Sequence, residues 1–353
     1  MSFKNAKIVS VGGNPAEYHK QTVERGDPAY IVSSSMLREF GHCPSRWIAG
    51  YQGPDTDAKD YGSLLDCRAL TPEQFEKRYS ITPEKYKSQG MECPQCHSVT
   101  DSKKCSACKC ERMPVIIEKD WSNASTTCKE WNEAQKAAGK EIASAKDVLE
   151  CDLAVKRMME DEVIKAYHEC SDKQVWLSAE WHDERTKLVV PVRALIDYRP
   201  KVDSEFGKTL GDLKSCRTAA VQPWSKDCYN RGYHIQASLY TDVYVAATGE
   251  DRNTWCFILQ ENYAPFQTGK RILSQDFMAL GRQKYESLLR RYCVALELGV
   301  WAGYDENALA VQGWSVVEMA PYMEFNALSE AMEDNQAELL GDTMPEDSSD
   351  VIP

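Results

Sequence analysis

The feature that most constrains the fold is a change of hydrophobic period near residue 175. Before it, apolar residues recur at helical spacing. Ser144 reads as the N-cap of one long amphipathic helix to Cys170, with Val148, Leu149, Leu153, Val155, Met158, Met159, Val163 and Ile164 on its apolar side. After it, residues 175–181, 188–198 and 207–215 are short, β-branched and aromatic, and read as three strands. A helix over 226–247, strands over 255–260 and 266–273, and a long helix over 275–298 follow. Strands enclosed by helices imply an α/β (α+β) core with a mixed central sheet flanked by helices.

Upstream, a polar lead over 1–30 precedes a helix over 36–40, capped by Ser34 or Ser35, with Pro44 in the turn after it. A second helix starts near Tyr61. Thr71-Pro72-Glu73-Gln74 has the cap, proline and acid of a fresh helix start, with Phe75 and Tyr79 as its i, i+4 pair. Helices resume over 125–138.

The net charge of −12 argues against a nucleic-acid binder only weakly, because residues 328–353 hold eight acids and no Lys or Arg. That tail is expected to be disordered. No apolar run approaches the roughly 18 to 20 residues of a membrane span, and the first residues lack a signal-peptide stretch, so a cytoplasmic protein is expected.

Two of the strands carry the chemistry. Arg193-Ala194-Leu195-Ile196-Asp197 ends one in an acid, and Gly211-Asp212-Leu213-Lys214-Ser215 supplies a second acid and a lysine. Residues i and i+2 of a strand share a face, so Asp212 and Lys214 point the same way and Leu213 turns into the core. Two carboxylates suit Mg2+ or Mn2+, which also grips phosphate, and a lysine beside them can orient water. Alone, D-x-K is a common pattern and usually a surface ion pair. The next helix adds Gln236 and Tyr240, which share a face at i, i+4.

With these residues the sequence resembles the PD-(D/E)XK nucleases whose third motif is Q-x-x-x-Y. More narrowly it resembles the exodeoxyribonuclease VIII family, the RecE-type exonucleases of phages and prophages. The resemblance takes in Ser33-Ser34-Ser35, Cys43-Pro44-Ser45, Tyr61 to Asp66, Leu70-Thr71-Pro72, Phe75, and Trp301-Ala302-Gly303-Tyr304 with Trp314 downstream. It implies a restriction-endonuclease-like core over 31–327. Asp197 and Asp212 would ligate the metal, the carbonyl of Leu213 would join them, Lys214 would position water, and Gln236 and Tyr240 would support the site. The family closes G-x-x-x-H with a metal-binding histidine; here Asp66 stands there, either as a hard-oxygen ligand or as a helix cap. Glu180 on the preceding strand is a further candidate acid, with a solvated strand residue as its rival reading.

Among 14 cysteines, Cys93-Pro94-Gln95-Cys96 and Cys105-Ser106-Ala107-Cys108 form paired C-x-x-C knuckles. Four thiolates at this spacing can close a structural Zn2+ site, with Cys110 and His97 as spare donors. The pattern is expected to be a zinc ribbon inserted over 91–112, with Lys103, Lys104, Lys109 and Arg112 as contacts for DNA or a second subunit. A redox dithiol lacks its βαβ setting, and no three-cysteine cluster follows Tyr240 for an iron–sulfur centre.

The expected function is a metal-dependent exonuclease that resects double-stranded DNA ends, 5′ to 3′, for phage-type recombination. The resemblance implies a ring-shaped homo-oligomer and a single-strand annealing partner. The competing expectations are a catalytically altered DNA-binding scaffold of the same fold, and an endonuclease.

Overall fold

The change of period near residue 175 falls where the run of five later strands of the central sheet begins. The computed structural model describes residues 3–13, 15–51 and 57–304, with 310–311 and 314–315. The chain divides into two units, Met1–Trp301 and Ala302–Pro353. The first begins with β1 (Phe3–Val11), α1 (Pro15–His19), α2 (Ser34–His42), α3 (Pro44–Ile48), α4 (Asp57–Leu70), a 3-10 turn (Pro72–Gln74), α5 (Phe75–Arg78) and β2 (Tyr79–Ile81). It continues with β3 (Lys85–Glu92), β4 (Val99–Thr100), β5 (Met113–Asp120), α6 (Thr126–Ala137), β6 (Glu141–Ala143), α7 (Ala145–Met159) and α8 (Glu162–Glu169). It closes with β7 (Ser171–His182), β8 (Val189–Pro200), β9 (Thr209–Cys216), α9 (Val221–Asn230), α10 (Tyr233–Thr248), β10 (Thr254–Glu261), β11 (Thr268–Ile272) and α11 (Gln275–Leu298). In the second unit, β12 (Ala310–Val311) and β13 (Trp314–Ser315) pair antiparallel. The acidic stretch 328–353 lies outside the described residues.

The central sheet has the order β1-β7-β8-β9-β10-β11. Only β9 and β10 run parallel, and α9 with α10 supplies the long crossover that a parallel pair needs. One face buries Val175, Leu177, Val192 and Ile196 against Leu37 and Phe40 of α2, and against α10 and α11. The other buries Leu213 and Ile258 against Leu65, Met158 and Ile164 from α4, α7 and α8. Each such side chain contributes roughly 2 kcal/mol by leaving water. The fold is mixed α/β around a mixed sheet, as the period change implies.

Several local expectations are corrected. The polar opening contains β1, which pairs with β7 at the sheet edge. Ser33 caps α2, its Oγ accepting from Met36 N at 3.3 Å, and Pro44 opens α3 instead of filling a turn. Thr71 makes no side-chain cap; a 3-10 turn and four helical residues follow, and the Phe75 and Tyr79 rings stack at 5.5 Å with Tyr79 already in β2. The helix expected over 144–170 is two helices, because Asp161 takes the amides of Val163 and Ile164, each at 3.0 Å, and starts α8 anew. Leu149, Leu153 and Val163, expected on the apolar side, are 60%, 45% and 50% exposed. The helix expected over 226–247 breaks at Arg231 and Gly232, where Gly232 takes a left-handed φ of 67°.

Candidate active site

Asp212 and Lys214 lie on one face of β9, and Leu213 between them is buried in the opposite core. Asp212 is 2% exposed. Its Oδ1 accepts a hydrogen bond from Gln236 Nε2 of α10 at 2.8 Å, and its Oδ2 pairs with the Lys214 ammonium. A buried carboxylate without such partners would cost several kcal/mol, on the order of the desolvation of one ion. Burial alone would lower the Lys214 pKa, but the adjacent Asp212 carboxylate outweighs it and raises it.

Asp197, 7% exposed at the end of the apolar run of β8, binds across to both neighbours. Oδ2 accepts from Leu213 N and Oδ1 from Gln174 Nε2, each at 2.8 Å. The β8–β9 ladder has only the pair Tyr198↔Gly211, so the Asp197 carboxylate replaces a missing main-chain acceptor there. A side chain is excluded at Gly211, because a Cβ would stand 2.5 Å from the Tyr167 hydroxyl.

Asp66, half-buried on α4, lines the same cavity of about 980 Å³ as Lys214, Gln236 and Tyr240. Burial pushes its carboxyl up to about 7, opposed by Lys214 and reinforced by Asp212. Burial, then Asp212 and Asp66, pushes Asp197 well above the carboxylate range. The three acids therefore sense one another, with Lys214 the ammonium among them. Tyr240 plays a different part: its hydroxyl accepts from Ser34 Oγ at 3.1 Å and meets Tyr18 Oη at 3.4 Å. Tyr18 is in turn held by buried Arg193, whose guanidinium donates to the carbonyls of Tyr18 and Lys20.

Glu180 is not brought to this site. It faces Pro191 near the far end of β7, where Asn5 Nδ2 at 2.8 Å and His182 Nε2 at 3.1 Å hold it, and the His182 contact lowers its pKa. Gln174, which sequence reasoning missed, takes the place beside Asp197. No periodicity marks it, because its side chain is aimed by a backbone φ of 52°.

The cysteines form a second centre on the arm β4-β3-β5. The sulfurs of Cys93, Cys96, Cys105 and Cys108 all lie within 4.8 Å of one another. Cys96 and Cys105 are 3.7 Å apart, close to the roughly 3.8 Å edge of a tetrahedron with Zn–S bonds of about 2.3 Å. The knuckles repeat in detail. Cys93 Sγ accepts from Cys96 N at 3.5 Å and Cys105 Sγ from Cys108 N at 3.4 Å, which lowers both thiol pKa values. His97 and Lys109 follow with φ of 55° and 60°. The four-cysteine cluster is consistent with a zinc site. By this repeat Cys110 corresponds to Ser98, outside the four, although its sulfur lies 3.2 Å from that of Cys93. His97 turns to Glu92 at 2.9 Å. The arm extends beyond the expected 91–112, since β3 begins at Lys85 and β5 ends at Asp120. Arg112 is buried and donates to Ser98 Oγ at 2.9 Å, so it braces a knuckle and is not a surface contact.

The carboxylates Asp66, Asp197 and Asp212 are more widely spaced; among the described residues, the cysteines are the set that closes within 4.8 Å. The chemistry of the acids still fits a hard divalent cation. They are three oxygen donors, and burial first, then a neighbouring carboxylate, raises the pKa of Asp66 and Asp197. Among the described residues, no helix is long and apolar enough to cross a membrane.

No curated protein sequence matches the chain. A "Putative exonuclease" of known crystal structure from Eubacterium rectale superposes with a TM-score of 0.50 at 13% identity, over 89% of this chain and 98% of that one. Rai1 from Scheffersomyces stipitis, in complex with (3'-NADP)+ and calcium ion, aligns at a TM-score of 0.23 and 8% identity, over 67% of this chain and 57% of that one; this carries no argument. The family described as PDDEXK-like domain of unknown function (DUF3799) matches residues 33–312. The chain belongs to that PDDEXK-like family.

Proposed function

We propose that the chain is a divalent-metal-dependent nuclease that resects double-stranded DNA ends. The observation that carries this reading is the double hold on Asp212, by Gln236 of α10 and Lys214 of its own strand, beside a cavity that Asp66 also lines. Asp66, Asp197, Asp212 and the carbonyl of Leu213 would hold Mg2+ or Mn2+. When bound, such a cation supplies Lewis acidity at the scissile phosphate and lowers the pKa of water. Lys214, cationic at neutral pH, donates to the attacking water or to a non-bridging phosphate oxygen. Gln236 keeps Asp212 from rotating away. Gln174 and the Leu213 amide do the same for Asp197. The zinc arm has a structural role, since four protein ligands leave no open position. On the sequence resemblance we extend the proposal to 5′-to-3′ polarity, a ring-shaped homo-oligomer and a single-strand annealing partner.

The test is digestion of end-labelled linear duplex with Mg2+ by wild type and Asp212→Asn. Release of label from 5′ ends by wild type alone supports the reading. Nicking of closed circular DNA transfers it to an endonuclease. No cleavage with Mg2+ or Mn2+ overturns it in favour of a scaffold.

A further inference from the structure

Arg38 and Arg231 stand at a junction between two cavities. The larger, about 980 Å³, is the one lined by Asp66 and Lys214. The smaller, about 580 Å³, is lined by Arg38, Arg46 and Arg231, with Glu39 as the carboxylate among its lining residues. Both arginines at the junction belong to both cavities.

The junction is built by the break between α9 and α10. Gly232 has a φ of 67°, and a Cβ there would stand 2.7 Å from Cδ of Arg38. The Arg38 side chain thus lies across the break, and its guanidinium donates to the Arg231 carbonyl. An unbroken helix would carry Arg231 elsewhere. In the smaller cavity, the Arg46 guanidinium lies over the Tyr51 ring at 3.9 Å. Arg25 fixes that segment by donating to the carbonyls of Trp47 and, at 3.2 Å, Tyr51.

The charge of this cavity runs against that of the chain. The whole carries −12, yet the described residues that line this cavity include the guanidinium groups of Arg38, Arg46 and Arg231 beside the carboxylate of Glu39. Guanidinium is planar, permanently charged and matched to phosphate oxygens, and an arginine stacked on a ring offers a flat surface to a base. Because Arg38 and Arg231 also open onto the carboxylate–lysine site, the fitting ligand is a polyanion long enough to lie in both cavities. We propose that one strand of nucleic acid runs from the Asp212–Lys214 site past Arg38 and Arg231 into the smaller cavity. Its phosphodiesters meet these arginines and Arg46. This rests on the nuclease reading and adds the path of the substrate.

The experiment measures binding of single-stranded oligonucleotides of increasing length to full-length Asp212→Asn protein, with and without Arg46→Glu or Arg231→Glu. The parent should gain affinity as the strand lengthens. Each charge reversal should remove that gain, about tenfold or more for the longest strand, and reduce the salt slope by about 0.7 per lost phosphate contact. With Arg46→Glu, which lies outside the catalytic cavity, short strands should bind as before, and Arg46→Lys should keep most of the gain, which separates lost charge from lost folding. Equal binding of long strands by parent and reversal variants, with wild type still cleaving DNA, overturns this path and leaves the nuclease reading intact. Competition by a mononucleotide as strong as by a long strand also overturns it, in favour of a small-anion pocket. If wild type neither binds nor cleaves any nucleic acid, the nuclease reading falls and the path falls with it.

Discussion

Gln236 Nε2 lies 2.8 Å from Oδ1 of Asp212, so a helix on one side of the sheet fixes the carboxylate of a strand. Gln236→Ala would leave Oδ1 without this donor. Turnover on linear duplex should fall by roughly 10- to 100-fold, the usual cost of losing a partner that orients a metal ligand. Gln236→Glu should be worse, since it sets a second carboxylate against Asp212. Single-turnover cleavage at saturating Mg2+ measures both.

Gln174 offers a sharper case, because it holds Asp197 from the far side of β8. Gln174→Ala removes one hydrogen-bond donor from a buried acid. Urea unfolding should show a loss of about 1–3 kcal/mol, and turnover should fall about tenfold or more. Glu180→Ala should leave turnover unchanged, because Glu180 sits elsewhere on β7.

Gln174 and Glu180 also show what could be read before folding. Asp197, Asp212 and Lys214 were legible because strand alternation dictates which side chains share a face, and Gln236 and Tyr240 because helical spacing does. Glu180 obeyed the same alternation and lies on the wrong stretch of strand. Gln174 is aimed by a backbone angle that no pattern encodes. The breaks at Asp161 and Gly232 were missed for a related reason: apolar periodicity continues through both, while one capping carboxylate and one left-handed glycine end the helices. The opening strand was hidden because an edge strand exposes much of its length, as Val9 and Val11 do here.

The four-cysteine arm should come apart on its own. Cys93→Ser or Cys105→Ser should reduce bound zinc from one per chain to near none, and Cys110→Ser should leave it, because Cys110 stands where the other knuckle has Ser98. Atomic-emission analysis of protein purified without chelator distinguishes the three. Chelation should raise hydrogen exchange in β3 and β5 and leave β7 and β8 protected.

His168 is pushed down to about 4 by burial and then by the neighbouring Lys173 ammonium. A histidine with a depressed pKa binds its proton more weakly folded than unfolded. Its contribution is full above the unfolded value of about 6.5 and is lost as pH falls toward 4. His168→Gln should therefore lose less thermal stability than wild type between those limits. Melting curves across that window decide it; parallel losses would rule His168 out.

The family match starts at residue 33, but β1 and the segment that Arg193 grips lie before it. A shortened chain cut at that boundary would leave β7 with an open hydrogen-bonding edge and a buried guanidinium facing no acceptor in the lost segment. For anyone dividing this protein into expressible pieces, the natural cut is thus not the family boundary: the first thirty residues are a wall of the same building.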